Sequence, residues 1–94
     1  MTQLQMIYDR ANRRLARLLQ TILKEWDFRT PVVKEYFALT CNDIISGATL
    51  PELYSSIDLF ASLEYYEECE GILLACEIST TLALTNYIFK LKNE

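Results

Sequence analysis

From Leu4 to Trp26, apolar residues return at steps of three and four: Leu4, Ile7, Ala11, Leu15, Leu18, Ile22 and Trp26. At about 100° of rotation per residue these positions share one side of a helix, so the first segment is committed to α-structure. Tyr8, Leu19 and Leu23 widen the stripe on one flank, as a helix packed into a bundle requires. The first helix is expected over Thr2–Trp26, with Asp27-Phe28-Arg29 as the connection.

The rest of the chain continues in the same idiom. It has two glycines and two prolines, too few for the repeated turns of a small sandwich or barrel. Both prolines sit at helix starts. Thr30-Pro31 pairs a capping hydroxyl with a residue whose missing donor costs nothing in the first turn, and the second helix is expected over Pro31–Ser46, closed by Gly47. Its inward residues are Val33, Tyr36, Phe37, Thr40 and Ile44. Thr49-Leu50-Pro51-Glu52 repeats the signal with the spacing of a capping box, opening a third helix over Leu50–Ser62 with a stripe of Leu50, Leu53, Ile57 and Phe60.

The apolar phase changes at Ser62-Leu63-Glu64, which is read as a turn. A fourth and longest helix follows, reaching Lys90 or beyond if unbroken; the β-branched run Ile78-Ser79-Thr80-Thr81 leaves a bend or a restart open. One face of this helix, expected inward, carries Cys69, Leu73, Cys76, Ala83, Leu84, Tyr87 and Leu91, with Tyr65 and Tyr66 at its start suited either to an interface or to closing the end of the core. A second apolar line runs along its other side through Gly71, Leu74, Ile78, Leu82, Thr85 and Phe89. Either the helix is central and its own chain covers both lines, or the second line is a partner surface, with Gly71 permitting close approach. The expected fold is therefore all-α, a compact bundle of about four helices forming one domain over residues 1–94.

Leu63-Glu64-Tyr65-Tyr66-Glu67-Glu68-Cys69 resembles the turn of the helical hairpin in the UvrB/UvrC interaction motif. Leu73-Leu74 stand where the second helix of that motif has an Arg-Asp pair, so the resemblance carries no function to this chain.

Composition narrows the function. About half of the residues are hydrophobic, 51%, and 12% are aromatic, while a chain this short buries only ~60–65% of the surface it exposes when unfolded. Some apolar surface is expected to meet a partner. There is no histidine, and Cys41, Cys69 and Cys76 are an odd set without close spacing. A disulfide framework, a zinc site and a histidine-activated nucleophile are all disfavoured, and buried free thiols in a reducing compartment are expected. Glu64, Glu67, Glu68, Glu70 and Glu77 scatter around the fourth helix and read as a solvated face. No enzyme activity, cofactor or metal is expected.

The N-terminus lacks a basic flank followed by an apolar core, and no uninterrupted apolar run approaches the ~18 residues of a spanning helix. The chain is read as soluble and cytoplasmic, with no membrane partner. Its net charge of −4 is unevenly divided. Residues 1–30 hold six basic against three acidic groups, and residues 31–94 hold three against ten.

Two functions follow as expectations. The first is a non-catalytic protein-binding module, an adaptor or inhibitor and a homodimer, acting through Gly71, Leu74, Ile78, Leu82 and Phe89 with Tyr65 and Tyr66. Small size, acidity and surplus apolar stripe also suit small proteins of phages and mobile elements that block a host protein. The alternative is a nucleic-acid-associated regulator that uses a basic ridge of Arg10, Arg13, Arg17 and Lys24 on the first helix, unless that ridge pairs with the glutamates or is simply solvated.

Overall fold

The computed structural model describes residues 2–93. The chain is all-α, with helices α1 (Gln3–Glu25), α2 (Pro31–Ile45), α3 (Leu50–Ser62) and α4 (Tyr66–Lys92), and a 3₁₀ turn at Trp26–Phe28. No strand occurs among the described residues.

Each boundary has a chemical cause. Thr2 caps α1 by accepting from the Gln5 amide at 3.1 Å. Thr30 caps α2 by accepting from the Val33 amide at 3.4 Å. The capping box at α3 is complete: the Glu52 amide donates to Thr49 Oγ1 at 3.4 Å, and the Thr49 amide donates to Glu52 Oε2 at 3.0 Å. Such reciprocal caps satisfy amides that have no partner inside the helix.

Helices α2 and α3 end alike. The Gly47 and Ala48 amides donate to the carbonyls of Ile44 and Asp43, and the Glu64 and Tyr65 amides donate to those of Ala61 and Phe60. Both are Schellman ends, which place one residue in the left-handed region. Gly47 meets that demand with φ 103°, but at α3 the residue is Glu64, with φ 62°. The apolar contact that accompanies the motif is also present: the Phe60 and Tyr65 rings lie 6.3 Å apart. A β-carbon in this conformation is costly, so Glu64→Gly is expected to stabilise the protein by about 0.5–1 kcal/mol. A thermal melt should rise by roughly 4 °C.

The chain forms two compact units. Unit 2 is Phe28–Glu77, and unit 1 joins α1 to the part of α4 from Ile78 onward. Unit 2 is built on Leu53, Ile72 and Cys76, with Tyr36, Ile44, Ala48, Ile57 and Phe60 packed against them. Tyr36 meets Phe60 edge-to-face, with ring centroids 5.4 Å apart. Polar links tie the starts of α2 and α4 together: Arg29 pairs with Glu70, and the Thr30 hydroxyl donates to Glu67 Oε2 at 2.9 Å. In unit 1 the buried residues are Ala11, Ile22, Thr81, Thr85 and Ile88, and Tyr8 packs on Phe89 with centroids 6.0 Å apart.

The run Ile78–Thr81 does not interrupt α4, which stays α-helical from Tyr66 to Lys92. Its inward side differs from the expected one. Cys69 and Cys76 are buried, but Leu73, Leu84, Tyr87 and Leu91, which share their phase, are exposed. The buried set is instead Cys69, Gly71, Ile72, Ala75 and Cys76 in unit 2, and Thr81, Thr85 and Ile88 in unit 1. A helix apolar on every side carries no periodicity from which to choose a face.

Residues Tyr66–Leu91 are long and apolar enough to cross a membrane by length and composition, and 33% of the most apolar window is buried inside the protein. The uninterrupted run sought in the sequence is absent because Glu77 and the serine and threonines after it break it.

Candidate functional site

The partner line expected on α4 separates into distinct environments. Gly71 is buried against α2: a β-carbon there would stand 2.5 Å from the Val33 carbonyl oxygen and 2.9 Å from the Phe37 amide nitrogen. The close approach that this glycine permits is thus made within the chain. Thr85 is buried too, its hydroxyl donating to the Thr81 carbonyl at 2.9 Å. Leu74 and Ile78 are half-buried, whereas Leu82 and Phe89 are exposed at 44% and 50%.

The second half of α4 therefore buries threonines and exposes Leu82, Leu84, Tyr87, Phe89 and Leu91. That inverts the usual assignment of residue types, and a large exposed apolar set is the informative observation on a small protein. Leu82 and Phe89, seven residues apart, share one flank of α4. Tyr8, Leu19 and Leu23 share one flank of α1. The contact between Tyr8 and Phe89 joins those two flanks. On α1, Leu19 is exposed at 40% and Leu23 at 74%, so both helices of unit 1 present exposed apolar side chains. The flank of α1 was legible in the sequence; its partner on α4 required the ring contact.

Comparison of the chain with protein-family models, with curated proteins and with solved structures finds no match.

The two tyrosines at the start of α4 divide in role. Tyr66 is exposed, while Tyr65, though also exposed, lies against Phe60 at the end of α3. On α1, Arg10, Arg13 and Arg17 stand exposed as one ridge, and the structure adds Arg14: all four line a single recess of about 420 Å³. Lys24 is exposed in the last turn of α1, outside that recess. None of these five cations makes an ion pair among the described residues.

The thiols are free. Burial pushes all three above the ordinary thiol pKa, helped at Cys69 by the carboxylates of Glu68 and Asp58, and at Cys76 by Cys41 and Glu77. Cys69 Sγ also donates to the Ile57 carbonyl at 3.4 Å. Thiols held neutral are poor nucleophiles, so Cys69 and Cys76 are expected to resist iodoacetamide until the protein unfolds. The unfolded chain releases these protons at lower pH than the folded one, so this part of the stability is complete below the ordinary thiol pKa. It is lost as pH rises beyond about 8.5, and melts between pH 8 and 10 should fall accordingly. No group of three histidine, cysteine or carboxylate side chains among the described residues could hold a metal ion.

Proposed function

We propose that this chain is a small, non-catalytic, cytoplasmic protein-binding module that acts through helical surfaces and works as a homodimer. The observation that supports this reading is the exposed apolar set of unit 1, Leu19 and Leu23 on α1 and Leu82 and Phe89 on α4, two helices that the Tyr8–Phe89 contact brings together.

Two helices alone make a thin core. Unit 1 buries an alanine, two isoleucines and two threonines, and layered architectures need each apolar stripe covered by another element. A second copy would bring two more helices with the same uncovered flank, giving four helices around a shared core. Self-complementary two-fold pairs are the commonest assemblies of this kind. Three free thiols, two of them buried, fit a reducing compartment.

Light scattering is expected to return twice the chain mass at micromolar concentration. In Leu23→Glu/Leu82→Glu, each introduced carboxylate would be buried unpaired on association, at a cost of roughly 3 kcal/mol or more. That variant should be monomeric, with the helical circular dichroism of the parent, because neither leucine is buried in the single chain. A monomeric parent protein, or a double variant that remains dimeric, overturns the reading.

A further inference from the structure

Among the described residues, the recess on α1 is lined by Arg10, Arg13, Arg14 and Arg17. Among the described residues none of the four is neutralised by a carboxylate, although the chain as a whole is acidic. Four guanidinium groups within two turns, none paired with a carboxylate among the described residues, concentrate positive charge on one exposed face of α1 and favour an anion there.

We infer that the recess is a site for the phosphate backbone of a nucleic acid, bound without reading its bases. Guanidinium forks match phosphate oxygens in two-point contacts, which a lysine cluster would not provide. Spacing agrees with a chain of phosphates. Arg10 and Arg14, like Arg13 and Arg17, are four residues apart, about 6 Å along the axis. The cluster therefore spans ~10 Å of duplex axis, over which the two strands together carry about six phosphates, enough for one per arginine.

The lining also argues for this class of ligand over an acidic protein. A protein partner needs a desolvated apolar centre surrounded by polar contacts, and this recess has none. It equally lacks an aromatic ring on which a base could stack, so affinity must come from phosphates and be indifferent to sequence. The net negative charge of residues 31–94 repels a polyanion elsewhere on the molecule and confines contact to α1. Lys24 lies two turns beyond Arg17, outside the recess.

The test is fluorescence anisotropy with two labelled 20-bp duplexes of unrelated sequence, titrated with the full chain from 50 to 200 mM salt. Four phosphate contacts give a log–log slope of about −3.6, an affinity loss of roughly a hundredfold over that range. Both duplexes should behave alike. Arg10→Gln/Arg13→Gln/Arg17→Gln should lose at least tenfold in affinity at 50 mM salt while keeping the parent's helical circular dichroism and oligomeric state. The inference is overturned by absence of binding at 50 mM salt, by a triple variant that binds like the parent, or by polyglutamate displacing the duplex as well as unlabelled DNA does. That last outcome would assign the recess to an acidic polypeptide. The site is separate from Leu23 and Leu82, so loss of the dimer and loss of phosphate binding are read by different variants.

Discussion

Gly71→Ala is expected to destabilise the protein by about 3 kcal/mol, the upper part of the range for forcing an extra carbon into a packed core. Alanine is ordinarily the better helix former, favoured over glycine by up to ~1 kcal/mol, so the sign of the effect is itself diagnostic. The added carbon would meet the Val33 carbonyl oxygen at 2.5 Å and the Phe37 amide nitrogen and Tyr36 Cβ at 2.9 Å. Two of these are backbone atoms of α2, which cannot rotate away as a flexible side chain would. Either α2 retreats as a body or the helix pair separates. Thermal melts should fall by 12 °C or more, at roughly 4–8 °C per kcal/mol for a chain of this size. An alanine variant as stable as the parent would mean that α2 and α4 do not cross here.

The second large effect concerns Ile72, one residue further along. It is buried with Leu53 and Cys76, in a cluster that Tyr36, Ile44, Ile57 and Phe60 enclose. Ile72→Ala is expected to cost about 3 kcal/mol, combining lost transfer energy with the cavity left behind. Ile72→Val removes one methylene and should cost about 1 kcal/mol. The ratio separates a tightly packed site from one that collapses: if both substitutions cost the same, neighbouring side chains have filled the space. Urea titration with an unchanged slope would assign the loss to the folded state.

These two residues also mark what the sequence reveals. A glycine inside an otherwise unbroken helix signals close approach, and that much was readable at Gly71; which neighbour approaches was not, because α2 and a separate protein leave the same trace. Helix ends were legible almost to the residue, since Thr2, Thr30, Thr49 and Gly47 act through bonds to amides and carbonyls a few positions away. The inward face of α4 was not legible. Side chains suited to a core surround that helix, and two of the three residues it buries in unit 1 are Thr81 and Thr85, types whose hydroxyls mark them as polar until one sees the Thr85 hydroxyl bonded to its own helix. The arginine ridge was visible as a helical face, but Arg14 joined it only when side-chain positions revealed one recess.

The threonines of α4 have a thermodynamic consequence. Among the residues that unit 1 buries, Ala11, Thr81 and Thr85 remove little hydrocarbon from water and leave Ile22 and Ile88 as its large buried apolar side chains, against Val33, Leu53 and Ile72 in unit 2. Local opening therefore requires less free energy at α1 than at the Leu53–Cys76 cluster. In the proposed dimer, a second copy covering the exposed flank would bind only the closed form, and closure and association would become a single linked equilibrium. The order of α1 would then rise with protein concentration, making the first helix a sensor of how much of its own chain surrounds it.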